Sequence, residues 1–321
     1  MKKILFFAFS LLLLFGCTER NFFPSQKIPK YNAHEHIESS KEIPKLLEAM
    51  DRAGIRTTIL LGSPHETIFN GSGFTDYKKN NDEIVHIIKK YPERFIFFPT
   101  LGPENNSVEL LSDYIRKGAK GLKLYNGHSL FYPVIGPLNR SELMSVYAYA
   151  EKNKIPIIYH VNSGNSFIYD EFIAVLDKFP NLTVNCPHFC LSSTNTARFE
   201  LLMNEHQNLY IDISFGFFAE DGLKRISKNP KKYRNLVIKY QDRIMFGTDV
   251  VVTSHKRKTA DWIYNLTKCY MDMLSKDKYS CNVSPDFSGN FNGLSLDKEV
   301  LDKIYYYNAV RFLGTNSTKN S

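Results

Sequence analysis

The sequence predicts a single (β/α)8 barrel, and two observations carry that prediction. Eight short runs rich in β-branched and aromatic residues recur along the chain, and their first residues lie 25 to 38 positions apart. Amphipathic helical patterns fill the intervals between them. Strands that alternate with helices form parallel sheets, and eight such units close into a barrel. The 321 residues are enough for one barrel and a short N-terminal segment.

The predicted strands and helices alternate throughout the barrel. The strands span 31–37, 56–63, 94–101, 119–127, 155–163, 182–189, 209–215 and 243–251. Apolar residues at helical spacing predict helices over 43–53, 77–90, 107–117, 141–152, 170–179, 196–207 and 257–275, with a last helix over 297–313. The polar segment 276–296 is expected to form a loop or lid.

The first residues predict a bacterial lipoprotein signal peptide. Lys2 and Lys3 precede an apolar run over 4–15, which is shorter than a membrane span and typical of a signal sequence. The run ends in Leu-Phe-Gly-Cys, which resembles a lipobox with Cys17 as the lipidated residue. An ordinary signal peptide or a buried cysteine is the alternative. Acyl chains such as palmitate on Cys17 would anchor the exported chain to a membrane, on the periplasmic or the outer face.

The chain therefore divides into four predicted segments. They are a signal peptide (1–16), a lipidated tether (17–30), the barrel (31–314) and a disordered tail (315–321).

The formal charge of +8 does not indicate a nucleic-acid partner. The sequence contains no Arg-rich helix and no repeated basic–aromatic pattern, so the excess lysines are expected on the solvated surface. A basic surface favours anionic substrates or anionic lipid. The expected partners are a small-molecule substrate and the membrane, and homo-oligomer formation stays open.

Four cysteines follow Cys17, at positions 186, 190, 269 and 281. Export permits disulfides, and Cys269 and Cys281 are close enough in sequence to pair. Free buried thiols are an equally good interpretation.

Polar side chains interrupt the apolar strands near their carboxyl ends. His34 and His36 lie two residues apart on the first strand, so their side chains point to the same face. Four further residues end the fourth, fifth, sixth and eighth strands: Lys123, His160, His188 and Asp249. Burying an unpaired imidazole or carboxylate is costly, so six such residues on five strands predict one shared site at the top of the barrel.

With these motifs the sequence resembles the amidohydrolase superfamily, in particular its amidohydrolase-related branch, over about residues 31–314. Four further sequence motifs contribute to the resemblance, at 91–99, 121–124, 247–249 and 307–314. The resemblance implies a metal-dependent TIM-barrel hydrolase with four metal ligands: His34, His36, His160 and Asp249. It also implies that His188 is an electrophilic or ligating residue. The sequence departs from the family where Phe189 and Cys190, rather than small glycines, follow His188.

The expected chemistry is hydrolysis of a small amide, ester or lactone by metal-activated water. Imidazoles with a carboxylate suit zinc, with manganese and iron as alternatives. A bound divalent ion lowers the pKa of water from 15.7 to about 7. Asp249 would move the proton of this water to the leaving group, and His188 or the metal would polarise the carbonyl. His65 and His128, which follow the second and fourth strands, are expected to contact the substrate.

Lys123 leaves the number of metals open. It resembles the lysine that is carbamylated in binuclear amidohydrolases, where a second ion would use Lys123, His160 and His188. In the alternative, which we favour, one ion is bound and Lys123 is an ammonium that pairs with Asp249 or with an anionic substrate group.

Two other functions compete with hydrolysis. One is non-oxidative decarboxylation of a small unsaturated acid, which the same branch includes and which predicted export disfavours. The other is a non-catalytic binding lipoprotein, which the full set of predicted ligands disfavours.

Overall fold

The computed structural model describes residues 28–104 and 107–314. The predicted signal peptide, the lipidated Cys17, most of the tether and the predicted tail lie outside the described residues. None of the helices within the described ranges is long and apolar enough to cross a membrane.

Eight parallel strands form the barrel in chain order. They are β1 (Lys30–Glu35), β2 (Ile55–Leu61), β3 (Phe95–Phe98), β4 (Leu122–Gly127), β5 (Ile157–Val161), β6 (Val184–Cys186), β7 (Leu209–Asp212) and β8 (Ile244–Met245). Each predicted strand is present, and most are shorter than predicted at the carboxyl end, where the chain turns into the loops that carry the site.

Hydrogen bonds at two seams close the sheet into a barrel. Between β3 and β4 the Lys123 amide donates to the Pro99 carbonyl over 2.8 Å. Between β8 and β1 the Ala33 amide donates to the Phe246 carbonyl over 2.8 Å, and the Asp249 amide to the His34 carbonyl over 2.9 Å. The second seam places the carboxyl ends of the first and last strands side by side.

Helices cover the outside of the barrel. The main ones run over Ile43–Ala53, Tyr77–Lys90, Ser107–Arg116, Ser141–Asn153, Ser166–Lys178, Thr196–Glu205, Ala219–Lys228, Pro230–Lys239 and Ala260–Ser275, and short ones over His65–Phe69 and Tyr132–Ile135. The predicted last helix is a run of three pieces, Lys298–Asp302, Lys303–Tyr307 and Asn308–Phe312. The two helices between β7 and β8, over 219–239, are absent from the prediction because Asn229-Pro230 interrupts their helical periodicity.

The prediction of a loop or lid over 276–296 is wrong. Two antiparallel strands, β9 (Lys278–Ser284) and β10 (Phe287–Asn292), form a hairpin there. Tyr279, Cys281 and Val283 are buried in alternation with exposed polar residues, and the exposed half gives the segment its polar composition. Cys281 forms a disulfide with Cys269, which attaches the hairpin to the helix Ala260–Ser275.

Candidate metal centre

Three side chains that could bind a metal ion converge where the first and last strands end: His34, His36 and Asp249. The two Nε2 atoms lie 3.2 Å apart. Asp249 Oδ1 lies 3.6 Å from His34 Nε2 and 3.4 Å from His36 Nε2. Donor atoms at about 2.1 Å from one tetrahedral zinc ion are about 3.4 Å from each other. These three donor atoms therefore have the spacing that fits a single divalent ion.

The other ring nitrogens of both histidines are hydrogen-bond donors. His34 Nδ1 lies 2.9 Å from Asp212 Oδ2, and His36 Nδ1 lies 2.7 Å from Ser63 Oγ. The Ser63 hydroxyl donates to the Leu61 carbonyl, so it accepts from His36. Both Nδ1 atoms therefore carry the proton, and both Nε2 lone pairs face the shared space. Partners of this kind fix the tautomer of metal-binding histidines.

His188 adds a third imidazole on the other side of Asp249. Its Nδ1 lies 3.1 Å from the Ser214 carbonyl oxygen, which makes Nδ1 the donor. Its Nε2 lies 3.6 Å from Asp249 Oδ2, whereas His34 and His36 face Oδ1. Asp249 therefore lies between the two histidines of the first strand and His188.

The backbone at His188 forms a left-handed turn. The φ angles are 61° at His188, 54° at Phe189, 50° at Cys190 and 48° at Leu191. The left-handed conformation costs a residue with a Cβ about 1–2 kcal/mol. A disulfide between Cys186 and Cys190 closes this turn. Both pairs of cysteines in the barrel are thus disulfides, an outcome that the sequence left open.

His160 lies beside this cluster, and its assignment as a metal ligand stays a prediction. Its ring centroid lies 5.3 Å from that of His188 and 4.4 Å from that of His128. Its Nε2 lies 3.2 Å from Asn162 Oδ1. Within the described ranges, the groups compact enough for one ion are His34, His36 and Asp249 and, separately, His34, His188 and Asp212.

Asp212, at the end of β7, is not among the predicted site residues, yet it holds two of these histidines in place. Its buried carboxylate accepts hydrogen bonds from His34 Nδ1, the Asn185 amide, the His188 backbone and Ser214. Burial raises the pKa of Asp212, but His34 and the hydrogen bonds outweigh burial and hold this pKa well below its usual value. The signal was present in the sequence, because Asp212 ends an apolar strand.

Glu35, between the two histidines, supports the turn that carries Asp249. Its buried carboxylate accepts hydrogen bonds from Thr248 Oγ1 over 2.7 Å and from the Val251 amide over 2.9 Å. Asp249 itself has a φ of 49°. Gly216 packs so closely that a Cβ there would overlap Asp249 Oδ2. The first strand therefore supplies two donor histidines and also the support for the aspartate.

Lys123 reaches this region from β4 and is completely buried. Its Nζ has no hydrogen-bond partner within the described part of the chain, and it lies 4.7 Å from the centroid of the Tyr125 ring. Burial lowers the pKa of Lys123 to about 8, although Asp249 and Asp212 favour its charged form. A buried ammonium without a partner is costly, so an anionic group bound beside Nζ would lower the free energy of the site.

Burial also favours the neutral, metal-coordinating form of four histidines in this region. It lowers the pKa values of His36 and His160 well below the usual value, and it lowers the pKa of His188 against the attraction of nearby carboxylates. Burial lowers the pKa of His128 to about 4. Neutral imidazoles are the form that coordinates divalent ions.

The two predicted substrate contacts lie at different depths. His128 is half-buried, and its ring packs against that of His160 in a tilted arrangement. His65 is exposed and lines a groove of about 650 Å³ that also contains Ser63. Because the Ser63 hydroxyl contacts His36 Nδ1, this groove adjoins the candidate metal-binding cluster.

A family model described as amidohydrolase matches residues 72–315, which is most of the chain. The chain belongs to the amidohydrolase family. The matched range includes Asp212 and Asp249, whereas His34 and His36 of this amidohydrolase precede it. None of the curated proteins matches the chain.

Solved structures share the fold of this amidohydrolase at low sequence identity. A putative amidohydrolase from Staphylococcus aureus is 18% identical, covers 89% of this chain and 99% of its own, and has a TM-score of 0.58. A dihydroxybenzoic acid decarboxylase from a Polaromonas species, with bound manganese, is 16% identical over 90% and 97% of the two chains (TM-score 0.56). An amidohydrolase from Burkholderia multivorans with bound zinc is 10% identical over 89% and 99% (TM-score 0.56).

Proposed function

We propose that this amidohydrolase is a metal-dependent hydrolase of a small amide, ester or lactone that carries an anionic group. The observation that carries the proposal is the convergence of His34 Nε2, His36 Nε2 and Asp249 Oδ1 within 3.6 Å of one another. The manganese and zinc in the two similar structures support a divalent ion in this cluster.

His34, His36 and Asp249 would hold the ion, with His160 as a further predicted ligand. Zinc suits this donor set, and manganese and iron are the alternatives. When bound, the ion supplies Lewis acidity that lowers the pKa of a water molecule. The proposal of one ion rests on Lys123 acting as an ammonium rather than as a carbamate.

Asp249 is positioned to accept the proton of the attacking water. Its side chain is 13% exposed, so it is more accessible than His34, His36 and His188. Its Oδ2 lies 3.6 Å from His188 Nε2, which is the unprotonated nitrogen of that ring. The proton taken up by Asp249 would then be passed to the leaving group, which regenerates the carboxylate.

Lys123 is the proposed anchor for the anionic group of the substrate. Its buried Nζ has no hydrogen-bond partner among the residues described, and the neighbouring carboxylates of Asp249 and Asp212 are already engaged with histidines. A carboxylate on the substrate would give the ammonium a charged hydrogen-bond acceptor, which is stronger than a neutral one.

Decarboxylation of a small unsaturated acid is the second candidate. The similar fold of the Polaromonas decarboxylase favours it, and the lysine that would bind a carboxylate fits a carboxylic acid substrate as well. The two reactions differ in their products. A hydrolase incorporates ¹⁸O from labelled water and releases no CO₂, whereas a decarboxylase releases CO₂.

The test is metal analysis and turnover on the purified full-length chain. We expect about one zinc, manganese or iron ion per chain, and hydrolysis of members of a panel of small lactones, esters and amides with and without a carboxylate. His34→Ala, His36→Ala and Asp249→Ala should lose metal and activity and keep the circular dichroism of the barrel. His86→Ala, on an exposed helical surface, is the matched control.

Full activity in any of the three ligand variants would refute the mechanism. Metal binding without turnover of any panel member would favour the non-catalytic alternative. Two ions per chain that depend on bicarbonate and on Lys123 would replace the one-metal arrangement by the binuclear one.

We also propose that the chain is an exported lipoprotein held to a membrane through Cys17. The support is the sequence alone, in which a basic start, an apolar run and the Leu-Phe-Gly-Cys motif occur in order. The anchor would tether the amidohydrolase barrel at the periplasmic or outer face of the membrane.

A further inference from the structure

The disulfide between Cys186 and Cys190 encloses a residue of the proposed catalytic site. Both cysteines are completely buried, and His188 lies midway between them. Cys186 ends β6, so the bond joins a strand of the barrel to the far end of the turn that carries the histidine. The second disulfide, Cys269–Cys281, encloses none of the site residues.

The turn inside this disulfide has an unfavourable backbone. Four consecutive residues from His188 to Leu191 have φ between 48° and 61°, and none of them is a glycine. Two backbone hydrogen bonds support the turn, from the Leu191 amide to the His188 carbonyl and from the Ser192 amide to the Phe189 carbonyl. Residues with a Cβ rarely adopt this conformation in succession, so the turn needs a restraint from outside its own backbone.

The left-handed turn brings His188 within hydrogen-bond distance of Asp212 and Ser214. The backbone amide of His188 donates to Asp212 Oδ1 over 3.2 Å. The ring Nδ1 donates to the Ser214 carbonyl over 3.1 Å, which leaves Nε2 facing Asp249 Oδ2. A turn of the ordinary right-handed or extended kind would direct both the amide and the ring elsewhere, and these contacts would be lost.

We propose that the Cys186–Cys190 disulfide is a positioning device that holds His188 in its orientation toward Asp249. The two cysteines act through His188 and touch no reacting atom. The catalytic consequence rests on the proposed function, whereas the effect on the orientation of His188 does not.

Two kinds of variant separate this role from general stabilisation. C186A/C190A removes the bond around His188, and C269A/C281A removes a buried bond elsewhere as the matched control. C186A/C190G removes the first bond but places glycine at a φ of 50°, a conformation that glycine adopts readily. If the bond acts by imposing the left-handed turn, glycine should partly replace it.

The deciding measurement is NMR on the full-length chain with ¹⁵N-labelled histidine. The chain has nine histidines, and the loss of a signal in His188→Asn assigns His188. Its buried Nδ1–H, bonded to the Ser214 carbonyl, should give a slowly exchanging signal in the native protein. We expect that signal to disappear in C186A/C190A, to persist in C269A/C281A and to return in C186A/C190G. With a substrate in hand, kcat should fall about 10- to 100-fold in C186A/C190A with little change in KM.

An unchanged His188 signal in folded C186A/C190A would overturn the proposal, as would its loss in C269A/C281A. If C186A/C190A does not fold, C186A/C190G decides, and absence of the signal in that folded variant would overturn the proposal. Failure of both variants to fold, with C269A/C281A folded, would show that the bond serves the fold itself and would also overturn it. If the native protein binds no metal and turns over no substrate, the proposed function is wrong. The NMR comparison of the His188 signal can still be made, because it requires neither.

Discussion

Replacing Lys123 by methionine should stabilise the metal-free protein. Burial lowers the pKa of Lys123 from 10.5 to about 8, which corresponds to a penalty of about 3 kcal/mol on the folded state at neutral pH. Methionine has a similar length and no charge, and swaps that conserve volume in a packed interior cost less than about 1.5 kcal/mol. The expected net gain for Lys123→Met is therefore about 2 kcal/mol in the free energy of unfolding.

The gain should depend on pH in a defined direction. Below pH 8 Lys123 is protonated in both the folded and the unfolded chain, so the native protein carries the whole penalty. Between pH 8 and 10.5 the folded state releases this proton while the unfolded state keeps it, so the stability of the native protein rises with pH. Lys123→Met lacks that contribution, and its advantage should shrink over the same interval.

Urea unfolding followed by circular dichroism, in the presence of a chelator, measures both effects. Lys258→Met is the matched control, because the Lys258 ammonium is also largely removed from water but donates to the Val250 carbonyl. Its removal leaves that carbonyl unpaired and should destabilise the protein by about 1–3 kcal/mol. A Lys123→Met protein that is less stable than the native one at pH 7 would show that Lys123 has a favourable partner and would refute the reasoning.

Three further predictions concern other parts of the chain. Asp212→Asn should weaken zinc binding about 10- to 100-fold in a chelator competition, because the amide is a poorer acceptor for His34 Nδ1; unchanged affinity would show that Asp212 does not orient the ligand. Gly216→Ala should push Asp249 away and reduce both metal content and activity, and full metal content in this variant would contradict the close packing seen here. Cys17→Ser should abolish acyl labelling and membrane fractionation, and a variant that still sediments with membranes would disprove the lipid anchor.

The strands of the barrel and most residues of the candidate site could be predicted from the sequence, because local sequence patterns indicate them. All eight strands were predicted, since each combines β-branched and aromatic residues with turn signals at its ends. The pairing of His34 with His36 followed from the two-residue period of a strand. Asp249 and His188 were found because each follows the end of an apolar strand.

The supporting residues were harder to predict because their roles depend on distant partners. Nothing in the sequence around Glu35 indicates a structural role. Its hydrogen-bond donors, Thr248 and Val251, lie in the turn that follows β8, and they reach Glu35 only because β1 and β8 are neighbours in the closed barrel. The hairpin over β9 and β10 was missed because its polar face masked the alternation of its buried face. The left-handed turn at His188 has no local signal, since the residues that adopt it are not glycines.

The seam between the first and last strands has a consequence for how the protein matures. His34 and His36 lie near the start of the barrel sequence, Asp249 lies near its end, and Glu35 joins the two by hydrogen bonds. A chain that has not yet closed its barrel lacks the complete set of donors, so newly made or partly folded molecules have no complete place for an ion. An ion that binds only the closed form adds about 2.7 kcal/mol to its stability at a free concentration 100 times the Kd. Metal binding would therefore favour the molecules in which the first and last strands have come together.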